Sequence, residues 1–564
     1  MKKLLVLLLC CMVGKAQSRY PDTLFTSPLD VAVIPSGTFG ELRSNHFHSG
    51  LDIKTQGREG LPVYAIGNGY VSRIKVGHWG FGKVLYVDHP GGYTSVYAHL
   101  QKFSPAIEAY IKERQYKKES YEIELFPKAD ELPLEKQQLI AYTGNTGSSG
   151  GPHLHFEIRE RDSQKPINPI LFGLKVKDTK PPSVNGLFAY ALSDSARINR
   201  TNRMLQLPLH KQKDGSFLTD TLYAEGKIGF GIDVHDSQDL TYNKNGIYAL
   251  EMRVNDTLYL HYDFETFSFG ETAYINTLID YGHYARTRQR IQQCFVLPFN
   301  RLSIYREKRD NGIIHVKDSM FYRVVIKALD LGNNESVIHI PVAGKKQPLL
   351  HKKENFRTDT YLNAAEAQQY ELGLVKAYFP KNTFYEDFYV DMRDNGDGTY
   401  TIHNKEVPTR GYFTLNFDVS GYSPEERKQL FIARLSEKNA PIYVSTEKNE
   451  TVFTTRTKYL GTYTLASDKK PPVITPNNFK NNQWLSNYTQ LSLSVTDAMS
   501  GINEYRATIN GTWILMEYEP KNNTLTYHFS DNAVKEGAKH ELEVVVTDNV
   551  GNQATFRSTF YRKF

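Results

Sequence analysis

Apolar and polar positions alternate with a period of two along much of this chain, in short runs broken by Gly, Asn, Asp and Pro. In GKVLYVDHPGGYTSVYAHL (Gly82 to Leu100), Val84, Tyr86 and Asp88 alternate with Leu85 and Val87, and Gly91-Gly92 then marks a hairpin turn. PVYAIGNGYVSRI (Pro62 to Ile74) is another such run. Successive strand side chains point to opposite faces, so the pattern predicts half-buried β-strands. Abundant Tyr and Phe beside scarce Met and Cys fit the same mainly β reading.

A chain of 564 residues is too long for one core, and about 150 residues per domain suggests three or four units. Repeats place the divisions. Asp178-Thr-Lys-Pro-Pro182 returns as Asp468-Lys-Lys-Pro-Pro472, GIDVHDS before NGIYALEMRVNDT returns as LSVTDAMSGINEY before RATINGT, and both copies close on an Asp shortly followed by Gly-Asn, at Asp330-Leu-Gly-Asn333 and Asp548-Asn-Val-Gly-Asn552. An internal duplication with a large insertion in the first copy follows. Alternating strands at this spacing predict immunoglobulin-like sandwiches. The division is 1–16, a signal peptide; 27–175, a compact strand-built unit; 178–345, an immunoglobulin-like β-domain with an insertion; 346–467, an accessory β-domain; and 468–564, a second immunoglobulin-like β-domain. Within the accessory unit, DNGDGT (Asp394 to Thr399) resembles a calcium loop but lacks the glutamate and spacing of an EF-hand, so a hairpin turn is expected.

The first sixteen residues have a basic start, a short apolar centre and Ala16 before Gln17, the pattern of a secretory signal. They are too short for a comfortable membrane span, and neither Cys10 nor Cys11 follows a small residue as a lipoprotein site would. No other stretch is apolar enough to span a bilayer, so no transmembrane span is expected after signal removal. Cleavage would remove Lys2, Lys3 and Lys15, lowering the formal charge from +6 to +3, and would leave Cys294 without a disulfide partner. Cys294 lies in the apolar run IQQCFVLPF and reads as a buried, inert thiol. No basic patch with interleaved aromatics points to nucleic acid.

The chemistry concentrates in the first unit. In GPHLHFEI (Gly151 to Ile158), His153 and His155 share one strand face with Cα atoms roughly 6.5 Å apart, a spacing that suits a shared metal. Upstream, His48 and Asp52 are separated by four residues and share a face on an extended strand. Catalytic zinc commonly takes three His, Asp or Glu ligands and keeps a fourth position for water. His48, Asp52 and one histidine of HLH supply such a set, and His99 in Tyr97-Ala-His-Leu100 ends a strand beside it. Spacing alone leaves His153 and His155 both open as ligands, and His46 forms a further HxH with His48. No CxxC pair or Walker phosphate loop competes with this reading.

Together SGTFGELRSNHFHSGLDI, YAHL and GNTGSSGGPHLHFEI resemble, in order, the lysostaphin-type or LytM-like zinc endopeptidases, over about Ser36 to Phe172. The resemblance implies a compact LytM-like peptidase domain followed by the β-sandwich domains. It implies Zn2+ as cofactor, with His48, Asp52 and His155 as ligands, His99 and His153 as non-ligand active-site residues, and His46 as a flanking residue. One of His99 and His153 would take a proton from the zinc-bound water and the other would hydrogen-bond the oxyanion. The expected substrate is peptidoglycan, at its peptide stems or cross-links, cut by an exported enzyme of the periplasm or cell envelope. The family also contains degenerate members that activate or scaffold other cell-wall hydrolases, but these typically lack part of the metal set. The β-domains are expected to act as a spacer or to meet other cell-envelope proteins. One departure from the family stands out: a charged insertion, KERQYKKESYEIELFPKADELPLEKQQ, occupies a normally short connection and either walls, covers or redirects the substrate groove or makes a solvated excursion.

Overall fold

The predicted alternation is realised as antiparallel sheets in a computed structural model, which describes residues 19–21, 24–354, 356–533 and 537–563. The expected signal peptide at 1–16 lies outside the described residues. In the N-terminal unit one sheet runs in the order Pro35–Gly37, Leu51–Lys54, His153–Glu160, Tyr93–Ala98, Lys83–His89, Gly69–Val76, Ile123–Leu125, with every neighbour antiparallel. Gly91 and Gly92 take φ of 91° and 85°, a left-handed geometry open to glycine, at the expected hairpin between Lys83–His89 and Tyr93–Ala98. A small sheet of Pro62–Tyr64, Leu139–Thr143 and Leu100–Phe103 completes the unit.

The period of two sorts the His153–Glu160 strand cleanly. Leu154, Phe156 and Ile158 are buried in the apolar core with Leu51, Ile53 and Tyr97, which sends His153, His155 and Glu157 to the other face. Fully burying side chains of this size contributes about 1.5–3 kcal/mol each, so the register is strongly specified. A slip of one residue would put the histidines in the core.

The charged insertion is no solvated excursion. It begins within helix α1, Pro105–Lys118, whose earlier residues Ile107 and Ile111 are buried in the same core, and its strand Ile123–Leu125 edges the main sheet.

Two β-domains share one strand order. In the first, Glu335–Gly344, Phe321–Leu329, Ala249–Val254 and Thr257–Asp263 are neighbours; in the last, Gln553–Tyr561, Lys539–Asp548, Ile502–Ile509 and Thr512–Trp513 are. The duplicated sequence blocks therefore fall on corresponding strands, and the first copy inserts a helical segment including Tyr281–Thr287. Between them, two five-stranded sheets enclose a core containing Phe379, Phe413 and Tyr463. Asp394 to Thr399 is the tip of a hairpin joining Met392–Asp394 to Thr399–Ile402. Cys294 is fully buried, and desolvation pushes its thiol pKa well up.

The units are not beads on a string. Phe39 and Phe47 of the N-terminal unit lodge in the core of the first β-sandwich, with Phe47 against Phe264 and Phe267 at 5.5 and 5.3 Å between ring centroids. The last β-sandwich folds back onto the first unit, where Leu515 joins the N-terminal core. Helix α1 provides part of that dock: Lys112 pairs with Asp531 at 2.5 Å, Tyr116 meets Trp513 edge-on, and Glu119 pairs with Arg506 at 2.6 Å. Lys83 and Glu517 form a further ion pair at 2.9 Å.

Candidate metal centre

Asp52 sits on Leu51–Lys54 directly opposite His155 on the neighbouring strand, so register alone brings them to one face. His48 arrives differently from the sequence expectation. It lies outside the strands, in the turn between His46–Phe47 and Leu51–Lys54, and curls back so that its Nε2 is 3.0 Å from Asp52 Oδ1. Gly50 makes the curl possible: a Cβ there would stand 2.5 Å from the Phe156 carbonyl oxygen and 3.0 Å from His155 Cε1.

Three atoms converge. His48 Nε2 and His155 Nδ1 are 3.0 Å apart, and Asp52 Oδ1 is 2.8 Å from His155 Nδ1. A tetrahedral ion with bonds of about 2.0–2.1 Å holds its ligand atoms about 3.3 Å apart, so this triangle needs only slight expansion to accept one. The remaining polar atoms of the set face outward to partners. His48 Nδ1 donates to the Thr38 carbonyl at 2.8 Å, His155 Nε2 donates to Glu157 at 2.8 Å, and Asp52 Oδ2 accepts from Arg43 at 2.6 Å. Such outer partners fix tautomer and ring orientation, leaving the inner atoms free for a cation. All three residues are buried, and two imidazoles with one carboxylate are a donor set that zinc takes in catalytic sites.

His99 and His153 stand beside this triangle, with their ring centroids 4.9 Å apart. His99 takes a left-handed φ of 58°, uncommon for a residue with a Cβ, between the strands Tyr93–Ala98 and Leu100–Phe103. Its Nδ1 lies 2.8 Å from the Thr146 carbonyl, which fixes Nδ1 as the donor and Nε2 as the acceptor. His153 is tied likewise, Nδ1 to the Gly151 carbonyl at 2.8 Å, and its Nε2 is 3.4 Å from Asp52 Oδ1. His46 is exposed, with Nδ1 on the Ser44 carbonyl, and stays out of the cluster.

The electrostatics divide the histidines. Burial lowers the pKa of His48 despite the neighbouring Asp52. Burial, with His155 and His153 adding like-charge repulsion, brings His99 down to about 3, so it is a neutral base at physiological pH. For His155 burial acts downward too, but hydrogen bonds to Asp52 and Glu157 outweigh it and raise the group to about 9. Burial raises Asp52, yet His48, His153 and His155 hold its carboxyl well below the usual range. Glu157 is pulled to about 2, because Arg159 and His155 overcome its desolvation.

Sequence reading missed Glu157, Arg43 and Phe81. Glu157 carried a signal, since it extends the HLH alternation by one more same-face position. Arg43 and Phe81, which packs against His155 at 5.0 Å between ring centroids, come from other segments and carried none.

Residues 46–116 match the description peptidase family M23, and residues 359–468 match a Zu5-like domain. The N-terminal unit is a family M23 peptidase domain. A DD-carboxypeptidase/endopeptidase Mpg of Neisseria meningitidis is 29% identical over 133 residues, 24% of this chain and 24% of that protein. A peptidoglycan DD-endopeptidase ShyB of Vibrio cholerae is 27% identical over 28% of this chain and 30% of its own. The chain thus spans about a quarter of the length of the first of these curated relatives. Among solved structures, the catalytic domain of lysostaphin from Staphylococcus simulans is 21% identical, covering 25% of this chain and 93% of its own, with a TM-score of 0.19.

Proposed function

We propose that the chain is an exported zinc metalloendopeptidase that hydrolyses peptide bonds in the stems or cross-links of peptidoglycan. The observation that carries this reading is the convergence of His48, Asp52 and His155 on one point with two more imidazoles beside it, inside an M23 domain. The substrate class is supported by the printed activities of the relatives, a DD-carboxypeptidase/endopeptidase and a peptidoglycan DD-endopeptidase. Export is supported by the signal-like pattern of the first sixteen residues.

In this reading His48 Nε2, Asp52 Oδ1 and His155 Nδ1 hold the zinc, and His99 and His153 are the catalytic residues. Bound there, zinc supplies Lewis acidity to the scissile carbonyl and lowers the pKa of its water to about 7. The two histidines are each committed at Nδ1 to a backbone carbonyl, which leaves Nε2 of each for proton transfer once Asp52 is engaged by the cation. Either accepts the proton of the attacking water, and the imidazolium so formed returns it to the leaving amine. Proton transfer of this kind contributes about 10²–10⁴ in rate. Arg43 and Glu157 position Asp52 and His155 through their hydrogen bonds.

The test incubates the full chain and zinc with purified peptidoglycan and identifies released fragments by mass spectrometry, beside a His155→Ala control. New peptide termini made only by the unaltered protein are expected. Termini that also appear with His155→Ala would overturn the assignment.

A further inference from the structure

A second cluster of metal-ligating side chains lies at the junction of the M23 domain and the first β-sandwich. Asp178 comes from the linker, Asp236 follows the strand Leu222–His235, and Asp330 follows Phe321–Leu329. One oxygen from each lies within 4.8 Å of the other two, with Asp236 and Asp330 buried and Asp178 half-buried. No salt bridge neutralises any of them among the described residues. The nearby lysines turn elsewhere: Lys177 approaches Asp239 at 4.0 Å and Lys180 donates to the Gln238 carbonyl.

Hydrogen bonds hold the carboxylates in place without saturating them. Asp178 Oδ1 accepts from the Lys180 amide at 3.2 Å, and Asp330 accepts from the amide and side chain of Asn334 at 2.9 and 2.7 Å. Gln238 donates to Asp236 Oδ2 at 2.6 Å. The other oxygen, Asp236 Oδ1, has no hydrogen-bond partner although the residue is only 2% exposed. Asn245, joined to Asp236 by two backbone hydrogen bonds, adds a second partnerless buried oxygen, Oδ1, at 2% exposure. Native interiors rarely leave such oxygens orphaned, and an unpaired buried carboxylate is costly. Burial and the charges of Asp178 and Asp330 push Asp236 up to about 7, a measure of that strain. These three carboxylates line a cavity of about 240 Å³, whose lining also includes Thr38 and Phe39 of the M23 domain.

We propose that Asp178, Asp236 and Asp330 bind a calcium ion in the first β-sandwich, at the cavity where it meets the M23 domain. The donor set is oxygen only, which suits a hard cation and disfavours zinc in competition with the histidine site. Calcium accepts irregular sets of six to eight oxygens, including amide and backbone carbonyl oxygens, whereas magnesium demands near-ideal octahedral geometry. The ion would neutralise three converging charges and give the orphaned oxygen its partner.

The duplication provides an internal contrast. Asp468, Asp497 and Asp548 also converge, and Lys470 donates its amide to Asp468 Oδ1 at 3.2 Å as Lys180 does to Asp178. There, however, backbone amides reach every carboxylate, Ser500 donating to Asp468 Oδ2, Met499 and Gly501 to Asp497 Oδ2, and Val550, Gly551 and Asn552 to Asp548 Oδ1, and among the described residues none of these carboxylate oxygens is buried without a partner. No site is assigned to that copy.

Calorimetric titration of the zinc-saturated full chain with calcium chloride tests the proposal. The unaltered chain is expected to bind one equivalent more calcium than Asp236→Asn, and its unfolding midpoint is expected to rise with calcium by mass action. Asp178→Asn, at the half-buried linker position, serves as a second variant and should lose the same equivalent should Asp236→Asn fail to fold. Absence of calcium binding by the unaltered chain at millimolar concentrations overturns the proposal, as does equal stoichiometry in the unaltered chain and a folded variant.

Discussion

Two buried polar clusters lie on either side of the Pro35–Gly37 region, and they solve the cost of burial in opposite ways. At His48, Asp52 and His155 the outward polar atoms have partners in Thr38, Arg43 and Glu157, so the inward atoms are aimed and pre-paired. At Asp178, Asp236 and Asp330 all ligands are carboxylates, and one buried oxygen has no partner. The first mixes nitrogen and oxygen donors on neighbouring strands of one sheet; the second collects oxygens from a linker and two strand ends. The contrast teaches that donor type selects the cation while the outer hydrogen bonds set how well the site is formed beforehand.

The comparison can be broken at its strongest point first. His155→Ala is expected to abolish both zinc retention and peptide release, measured by metal analysis and fragment mass spectrometry, since it removes a ligand. His99→Ala should keep the metal and lose about 10²–10⁴ in turnover, because it removes only a proton acceptor. A variant that loses zinc as well would move His99 into the ligand set. Glu157→Gln weakens the outer support, so zinc affinity should fall about 10- to 100-fold in a chelator competition while the ligands stay intact.

The smallest expected effect on activity sharpens the contrast between the site and the dock behind it. Lys83 and Glu517 join the first and last domains. Burial pushes Glu517 up, but Lys83 outweighs it and lowers the carboxyl below its ordinary value. Burial pushes Lys83 down, and Glu517 outweighs it in turn to raise the ammonium. A depressed carboxylate contributes stability above its unfolded pKa, about 4.3, and loses it as pH falls through the folded value. Thermal stability should therefore drop on acidification below about pH 4.3, and the drop should be shallower in Glu517→Gln. At neutral pH the same variant should be destabilised by about 3 kcal/mol, because Lys83 is left buried and unpaired. An unchanged acid limb in thermal unfolding would remove the pair from any role in docking.

Lys521 extends this dock toward the chemistry. It donates to the carbonyls of Asn145 and Ser149, and Ser149 Oγ lies 3.2 Å from His153 Nδ1. The last domain thereby braces the loop that leads into the histidine strand.

Much of the site was legible locally. HLHFE shows its same-face residues by period, and GG and DNGDGT mark their own turns. His48 was legible as a residue but not as a geometry, because the even spacing to Asp52 suggested a strand where Gly50 permits a tight curl instead. The inserted segment looked like a loop by charge, since the apolar residues that bury one face of α1, Ile107 and Ile111, lie just before the charged run.

Local sequence carries the strand pattern in its alternation and the duplicated β-domains in repeated motifs, and it named His48, Asp52, His99, His153 and His155 together only through the resemblance of three ordered blocks to a known family. Only the tertiary structure decided what those elements pack against. Apolar periodicity marks Phe47 and Leu515 as buried without saying that one enters the first β-sandwich and the other returns to the M23 core. The same holds for Asp178, Asp236 and Asp330, which come together across about 150 residues of chain. Hydrophobic burial is non-directional, and a charge carries no record of its partner, so such contacts exist only once the chain has closed on itself.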